Sequence, residues 1–209
     1  SGFIQRVMEV RSALPVEVVV ADNVKVASRT DGFIVGSKAF HPDVYLYDET
    51  RHDIKNQTFK LEIIKSERRL YLPKGVRVAG KLRGVSFSLL KEHSHNFYHF
   101  MFECLPKLIH FQNLPYLSAL ESDCEQINIL IDENIPGQCL EALRLVVKFP
   151  FSLVLVKEFE VYACERLIYC SPFFNALDNT SYQHFYPEDF YVDRYAVSLI
   201  RDSFSDWSS

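Results

Sequence analysis

Residues 93–111 contain a dense group of side chains that could do acid–base chemistry. They read His-Ser-His-Asn-Phe-Tyr-His-Phe-Met-Phe-Glu-Cys-Leu-Pro-Lys-Leu-Ile-His-Phe. His99 and Glu103 are four residues apart and would share one face of a helix. An imidazole and a carboxylate held together can take up and deliver a proton near neutral pH. This segment is therefore the first candidate for a functional site.

The polar side chains of the segment form one stripe when the residues are placed on a helix at about 100° per residue. The stripe consists of His95, Asn96, His99, Glu103, Lys107 and His110. The remaining surface is apolar, a pattern typical of a buried helix. Because burying His99 and Glu103 costs free energy unless partners or water receive them, we predict that the stripe lines a cleft.

Two other interpretations of the stripe stay open. His99 and Glu103 could satisfy each other as an i,i+4 pair covered by the β-rich part of the chain, since structural pairs also perturb pKa values. Alternatively, His93, His95 and His99 could hold zinc, although no second cluster of ligands is visible in the sequence.

The ends and the continuity of this helix can also be predicted. Ser94 or Asn96 can cap its start, because either side chain accepts hydrogen bonds from the first free backbone N–H groups. Pro106 has no N–H to donate to the carbonyl of Phe102, so we expect a kink at that point.

The elements that would position the helix differ in type along the chain. Before residue 92, short β-like runs alternate with turn residues at 16–20, 24–27, 33–36, 44–47, 59–65, 69–72 and 76–80. After it, helices alternate with strands: helices at 96–111, 137–148 and 187–204, strands at 127–131, 152–156 and 166–169. This alternation predicts an α/β fold with a partly parallel sheet.

The composition excludes several classes of protein. The chain has 209 residues and a formal net charge of −4, without a long basic run, so binding to nucleic acid is disfavoured. No apolar run approaches the ~20 residues of a membrane-spanning helix. The five cysteines form no Cys-x-x-Cys pair, which favours buried free thiols. Residues 75–82 copy the spacing of a phosphate-binding P-loop, but Leu82 replaces the required Ser or Thr and the segment resembles a strand.

The residues of the polar helix resemble a family motif. The pattern is similar to the Asn-x-Tyr-His…Glu/Asp-x-Leu-Pro-Arg/Lys helix of glycosyltransferase family 61. In this chain it reads Asn96-Phe-Tyr-His99, then Glu103, then Leu105-Pro-Lys-Leu108. Residues 32–35, 76–80 and 127–132 also resemble the N-terminal region of that family.

The resemblance implies a fold and an activity. The family is similar to inverting, metal-independent enzymes of GT-B type, in which two Rossmann-like domains enclose the active-site cleft. It implies that a β-rich part, 1–92, and a Rossmann-like α/β part, 93–209, form one composite acceptor-side domain. The family continues into a second domain that binds the nucleotide sugar, and this chain ends about where that domain is expected. We expect no metal ion and no cofactor.

The resemblance also implies roles for individual residues. His99 would be the catalytic base, with Glu103 orienting it or serving as the base itself. The substrate-binding candidates are Asn96, Tyr98, His95 and Asp132, the last at the C-terminal end of a strand, where α/β sheets place ligands.

Two functions follow as hypotheses. The first is the acceptor-side portion of a glycosyltransferase that passes a sugar from a nucleotide-sugar donor to a glycan or polysaccharide acceptor with inversion. The second is a non-catalytic module, derived from such an enzyme, that binds carbohydrate or a partner. A bacterial enzyme of this kind would work in the cytoplasm or at the membrane periphery. A eukaryotic one would work in the secretory lumen, where the N-glycosylation triplets at 56–58 and 179–181 would matter.

Overall fold

The computed structural model of the chain describes residues 16–36, 38–41, 54–56, 61–64, 69–71, 77–115, 126–176 and 190–205. The predicted strand at 44–47, Cys124 and the predicted first helical turn at Pro187 lie outside these residues.

A seven-stranded mixed sheet forms the centre of the fold, in the order β3-β2-β1-β10-β7-β8-β9. Its strands are β1 (Val18–Ala27), β2 (Phe33–Val35), β3 (Lys38–Phe40), β7 (Arg77–Ser88), β8 (Ile127–Asp132), β9 (Phe151–Val156) and β10 (Glu160–Cys170). The four strands from β10 to β9 run parallel, whereas β1 to β3 add antiparallel pairs at the other edge. The mixed α/β class predicted from the alternation of elements is confirmed.

Smaller sheets and three helical segments complete the described structure. β4 (Ile54–Asn56), β5 (Leu61–Ile64) and β6 (Arg69–Tyr71) form one small sheet, and β11 (Phe174–Ala176) pairs with β12 (Phe190–Val192). Helix α1 covers 97–112 in three continuous pieces, Phe97–His99, Phe100–Cys104 and Leu105–Gln112. Helix α2 covers Gly137–Val146 and α3 covers Arg194–Ser205. No helix in the described ranges is long and apolar enough to cross a bilayer.

Strand β8, near the middle of the parallel part of the sheet, is buried on both faces. Side chains alternate along β8, so Ile129 and Ile131 pack with the helices on one face while Leu130 joins a separate cluster on the other. The helical side includes Phe100 and Leu108 of α1. Burial of the strand on both faces explains the continuous apolar run that the sequence shows there.

A hydrogen bond links the turn after β1 to the end of β8, although these strands are not neighbours in the sheet. The backbone N–H of Arg29, just after β1, donates to a carboxylate oxygen of Asp132 at the end of β8, with 2.8 Å between the atoms. Two strands, β10 and β7, separate β1 from β8 in the sheet. Ser94, in the loop between β7 and α1, also donates to Asp132. The turn after β1 therefore lies beside that loop.

Helix α1 begins at the predicted cap and contains a π-helical turn. The side chain of Asn96 accepts a hydrogen bond from the backbone N–H of Tyr98 at 2.9 Å, which confirms one of the two predicted caps. Residues Phe100–Cys104 are π-helical, so a carbonyl pairs with the N–H five residues on. The N–H of Leu105 accordingly bonds to the carbonyl of Phe100. This turn directly precedes Pro106, which has no N–H to donate, and the helix continues to Gln112.

Several predicted elements differ from the structure. The separate runs predicted at 16–20 and 24–27 form the single strand β1, and the strand predicted at 166–169 is the end of the longer strand β10. β7 continues to Ser88 instead of ending at residue 80, because Gly84 takes a positive φ of 70° and the pairing with β10 shifts register there. The same strand rules out a phosphate-binding loop at 77–82. Residues 190–192 were predicted as helix but form β12, and α3 begins later, where Asp193 accepts a hydrogen bond from the N–H of Tyr195.

The described cysteines are buried free thiols, as predicted. They are Cys104, Cys139, Cys164 and Cys170.

Candidate functional site

His99 and Glu103 meet on the first turns of α1. Nδ1 of His99 lies 2.5 Å from Oε1 of Glu103. The Glu103 side chain is fully buried, whereas the His99 side chain is 24 % exposed. A carboxylate on Nδ1 holds the proton on that nitrogen and leaves Nε2 with its lone pair, as an aspartate does in Ser-His-Asp triads. The arrangement can therefore present a base to a molecule at the surface.

Glu103 continues into a buried row of alternating charges. Its Oε2 lies 3.0 Å from Nζ of Lys91 as an ion pair, although the two are not aligned as a hydrogen bond. Nζ of Lys91 lies 3.8 Å from Asp31, and both carboxylate oxygens of Asp31 accept from Nζ of Lys107 at 2.8 Å. None of these four side chains is more than 4 % exposed. We call Glu103, Lys91, Asp31 and Lys107 the buried charge row.

The buried charge row is balanced. Two carboxylates and two ammonium groups alternate, so each buried charge has an opposite neighbour, which is the condition for keeping such groups ionised. Burial alone would raise the pKa of Asp31, but the ammonium groups of Lys107 and Lys91 hold it below its usual value. Lys107 also lies 5.5 Å from the centre of the Tyr169 ring, a cation–π distance.

Asp132 anchors the loop that leads into α1. Its carboxylate accepts from the hydroxyl of Ser94 at 2.6 Å, from the N–H of Arg29 at 2.8 Å and from the N–H of Lys91 at 3.4 Å. Its side chain is buried, and burial raises the pKa of Asp132 to about 6 despite these donors. These hydrogen bonds hold the loop that carries Lys91 and Ser94 at the end of β8. The role of Asp132 in binding substrate stays a prediction.

Two other histidines stand beside His99 at the surface. The ring centre of His93 lies 5.5 Å from that of His99 and 6.1 Å from that of His95. Burial lowers the pKa of His95, and the positive charges of Arg29, His93 and His99 lower it further. Arg29 and His93 have positive φ angles of 51° and 64°, which residues other than glycine rarely adopt. The described residues form no group of His, Cys, Asp or Glu side chains arranged to hold a metal ion.

Exposed aromatic rings border the histidines. Phe97 is 52 % exposed and Tyr98 is 46 % exposed. The ring of Tyr98 lies 4.8 Å from that of Phe102 and 5.9 Å from that of His99, centre to centre. Such a surface offers faces on which the apolar side of a sugar ring can stack.

The predicted stripe is divided in the structure. His95, Asn96 and His99 lie at the surface end of α1, whereas Glu103 and Lys107 are buried. His110 is separate: its Nδ1 lies 3.2 Å from the hydroxyl of Tyr195 on α3. A π-helical turn takes more residues than an α-helical one, so residues beyond it are displaced around the axis from their expected positions. The cleft predicted along the whole stripe is wrong for Glu103 and Lys107.

The partners of the buried residues were not predicted from the sequence. Asp31, Lys91 and Arg29 come from the β-rich part, where Asp31 and Arg29 lie between the predicted runs 24–27 and 33–36. One signal could have found them. A carboxylate and an ammonium group on a helix that is apolar nearly all round require a cation and an anion elsewhere in the chain.

No family model, no curated protein and no solved structure matches this chain.

Proposed function

We propose that the chain is the acceptor-side part of an inverting glycosyltransferase with a Rossmann-like, GT-B type organisation, resembling glycosyltransferase family 61. The observation that carries the proposal is the difference in depth between His99, which is 24 % exposed, and Glu103, which is fully buried. A buried carboxylate that orients a surface imidazole is suited to removing a proton from a bound hydroxyl.

The proposal assigns the two roles that the motif alone left open. Glu103 does not reach the surface, so it cannot take a proton from an acceptor directly. His99 is therefore the base, and Glu103 is a positioning residue that also stabilises the imidazolium after proton transfer. Nζ of Lys91 lies 3.0 Å from the other carboxylate oxygen of Glu103 and holds it from that side.

The proposed reaction is a single displacement at the anomeric carbon of the donor sugar. Nε2 of His99 accepts the proton of the acceptor hydroxyl while that oxygen attacks the anomeric carbon of the donor sugar. The bond from that carbon to the nucleotide diphosphate breaks, and its electron pair leaves with the diphosphate. Attack opposite the leaving group inverts the anomeric configuration. Positive or N–H-rich groups must stabilise the diphosphate, a role that the family resemblance assigns to a second domain.

A transfer assay tests the proposed activity. The protein at its full natural length would be incubated with a panel of nucleotide sugars and glycan acceptors, and release of nucleotide diphosphate would be followed together with the anomeric configuration of the product. We expect acceptor-dependent release and an inverted linkage. A retained configuration would contradict the proposal, as would the absence of transfer with every donor.

The exposed rings of Phe97 and Tyr98 favour the second candidate, a carbohydrate-binding module without catalysis.

Calorimetric titration of residues 1–209 with nucleotide sugars tests whether the donor site lies in a second domain. The acceptor-side proposal predicts that this segment alone does not bind nucleotide sugars, because the residues that bind them would belong to another domain. Tight binding of a nucleotide sugar by residues 1–209 would overturn the two-domain proposal. Glycan binding that persists without transfer in the full-length protein would favour the module.

A further inference from the structure

Strand β9 (Phe151–Val156) forms one edge of the seven-stranded sheet, and no strand among the described residues pairs with its outer side. On its inner side it pairs with β8 along its whole length. Its side chains are more exposed than those of β8: Leu155 is 48 % exposed, whereas every residue of β8 except Asn128 is buried. An open edge of this kind can take up a further strand.

The edge lacks the features that keep an open strand from pairing. The residues of β9 read Phe-Ser-Leu-Val-Leu-Val, without a proline or a charge, and their register with β8 is unbroken by a bulge. Natural proteins place lysine, proline or a bulge on strands whose edges stay exposed. The composition of β9 therefore favours a covered edge.

The hydrogen bonds to β8 fix which backbone groups of β9 point outward. The N–H of Ile127 donates to the carbonyl of Pro150 at 3.1 Å, and the N–H of Glu133 donates to the carbonyl of Val156 at 3.0 Å. Because these directions alternate along a strand, the even-numbered residues of β9 face β8. The N–H and carbonyl groups that point away from the sheet are those of Phe151, Leu153 and Leu155.

These outward groups are spaced to pair with a second copy of the same strand. In an antiparallel pair, two opposed residues can exchange both of their backbone hydrogen bonds. With Leu153 opposite Leu153 of a second copy, Phe151 lies opposite Leu155, so every outward group finds a partner. A two-fold axis through Leu153 generates this arrangement, and it closes the assembly as a dimer. The exposed side chain of Leu155 would then meet the ring of Phe151 on the same face of the sheet.

The charges that flank β9 are complementary in the same register. Lys148 lies five residues before Leu153 and Glu158 lies five residues after it, and both charged side chains are exposed. Pairing centred on Leu153 therefore places Lys148 of each copy opposite Glu158 of the other. Opposite charges at facing positions favour this register over shifted ones.

We propose that β9 is a dimer interface, in which it pairs antiparallel with β9 of a second copy of this chain and continues the sheet from one copy into the other. The inference does not depend on the proposed function, since dimerisation is measured without sugar transfer. One pair of six-residue strands buries little surface, so the dimer should dissociate on dilution.

Analytical ultracentrifugation of the full-length protein tests the dimer. We expect mostly dimer at about 100 µM and monomer on dilution. Leu155→Lys puts a lysine on the edge, opposite Phe151 of the other copy, and should give a monomer at the higher concentration. The matched control is Val197→Lys on α3, which is 43 % exposed and lies outside the edge, and it should dimerise like the wild type. A monomeric wild type would overturn the proposal, as would a dimer that survives Leu155→Lys.

Charge reversal tests the register with variants that leave β9 itself unchanged. Lys148→Glu places two glutamates opposite each other at both ends of the strand pair, and we expect the dissociation constant of the dimer to rise about tenfold. Glu158→Lys should weaken the dimer similarly. The double variant Lys148→Glu, Glu158→Lys restores opposite charges, so its dissociation constant should return to within about twofold of the wild-type value. Weakening that simply adds in the double variant would contradict pairing centred on Leu153.

Discussion

Nδ1 of His99 and Oε1 of Glu103 lie 2.5 Å apart, yet one side chain reaches the surface and the other has no exposed area. The glutamate is held from its far side by Lys91, which belongs to the loop after β7. The imidazole of His99 is therefore paired with a carboxylate that solvent does not reach. The properties of the site should therefore depend on residues that no substrate can touch.

Lys91→Met should destabilise the chain strongly. The substitution leaves Glu103 buried with His99 as its main partner, and removing one member of a buried ion pair costs about 3–5 kcal/mol. Urea unfolding of the folded domain, followed by circular dichroism, measures the change in free energy of unfolding.

The double variant Lys91→Met, Glu103→Gln is the control for this effect. It removes both charges, so part of the lost free energy should return, while Asp31 keeps its hydrogen bonds to Lys107. If the effects of the two substitutions simply add, Lys91 and Glu103 are not coupled and the buried charge row does not act as a unit.

The stability of the chain should depend on the protonation of Asp132. Its folded-state pKa of about 6 lies above the value of 3.8 expected for the unfolded chain, so the folded state binds the proton more tightly. This contribution favours folding below about pH 4 and is lost as the pH rises to about 6 and beyond, by up to roughly 3 kcal/mol. The difference in free energy of unfolding between wild type and Asp132→Asn, measured from pH 4 to 7.5, should change over that window. A difference that stays constant with pH would contradict the assignment.

The described cysteines should resist thiol reagents in the folded state. Burial raises the pKa of Cys164 to about 11 and that of Cys170 to about 12, and it raises the pKa of Cys104 and Cys139 as well. Since the thiolate is the reactive form, labelling requires unfolding. In a Cys124→Ser chain, which removes the cysteine outside the described residues, a disulfide reagent should label these thiols only after denaturant is added. Rapid labelling of the native chain would show that these thiols are accessible.

Gly32→Ala should disturb the turn that carries Asp31. A methyl group at position 32 would lie 2.5 Å from the carbonyl oxygen of Phe40 and 3.2 Å from Cδ2 of His41, so the backbone would have to shift. Overpacking of this kind costs about 1–3 kcal/mol. Gly137→Ala is the matched control, because nothing lies within 4 Å of the added methyl group and alanine favours a helix. Thermal unfolding should give a lower Tm for the first variant and an equal or higher one for the second.

The sequence predicted those parts of the molecule that depend on local patterns. Asn96 caps α1 because its side chain accepts from an N–H two residues on, and the i,i+4 spacing brings His99 and Glu103 together in any helix. The apolar run at 127–131 is a strand buried on both faces, and its length and composition are local properties as well.

The rest of the site depends on how distant segments meet. Asp31 and Lys107 are far apart in the chain, and they come into contact because the fold places the turn after β1 against α1. The periodic patterns that predict helices and strands give no information on that contact. The displacement of His110 from the stripe had a local cause, the π-helical turn before Pro106, but uniform helical geometry does not include such a turn.

The rate of sugar transfer by His99 variants tests the central claim most directly. With the full-length protein and a productive donor and acceptor, single-turnover rates would be measured for wild type, His99→Ala, Glu103→Gln and the control His110→Asn. We expect His99→Ala to slow transfer by about 10²–10⁴-fold and Glu103→Gln by at least about tenfold, since general-base catalysis contributes factors of this size. His110→Asn should stay within about twofold of wild type, because its imidazole faces α3 and takes no part in proton transfer. Near-wild-type rates for both His99→Ala and Glu103→Gln in folded protein would contradict the account.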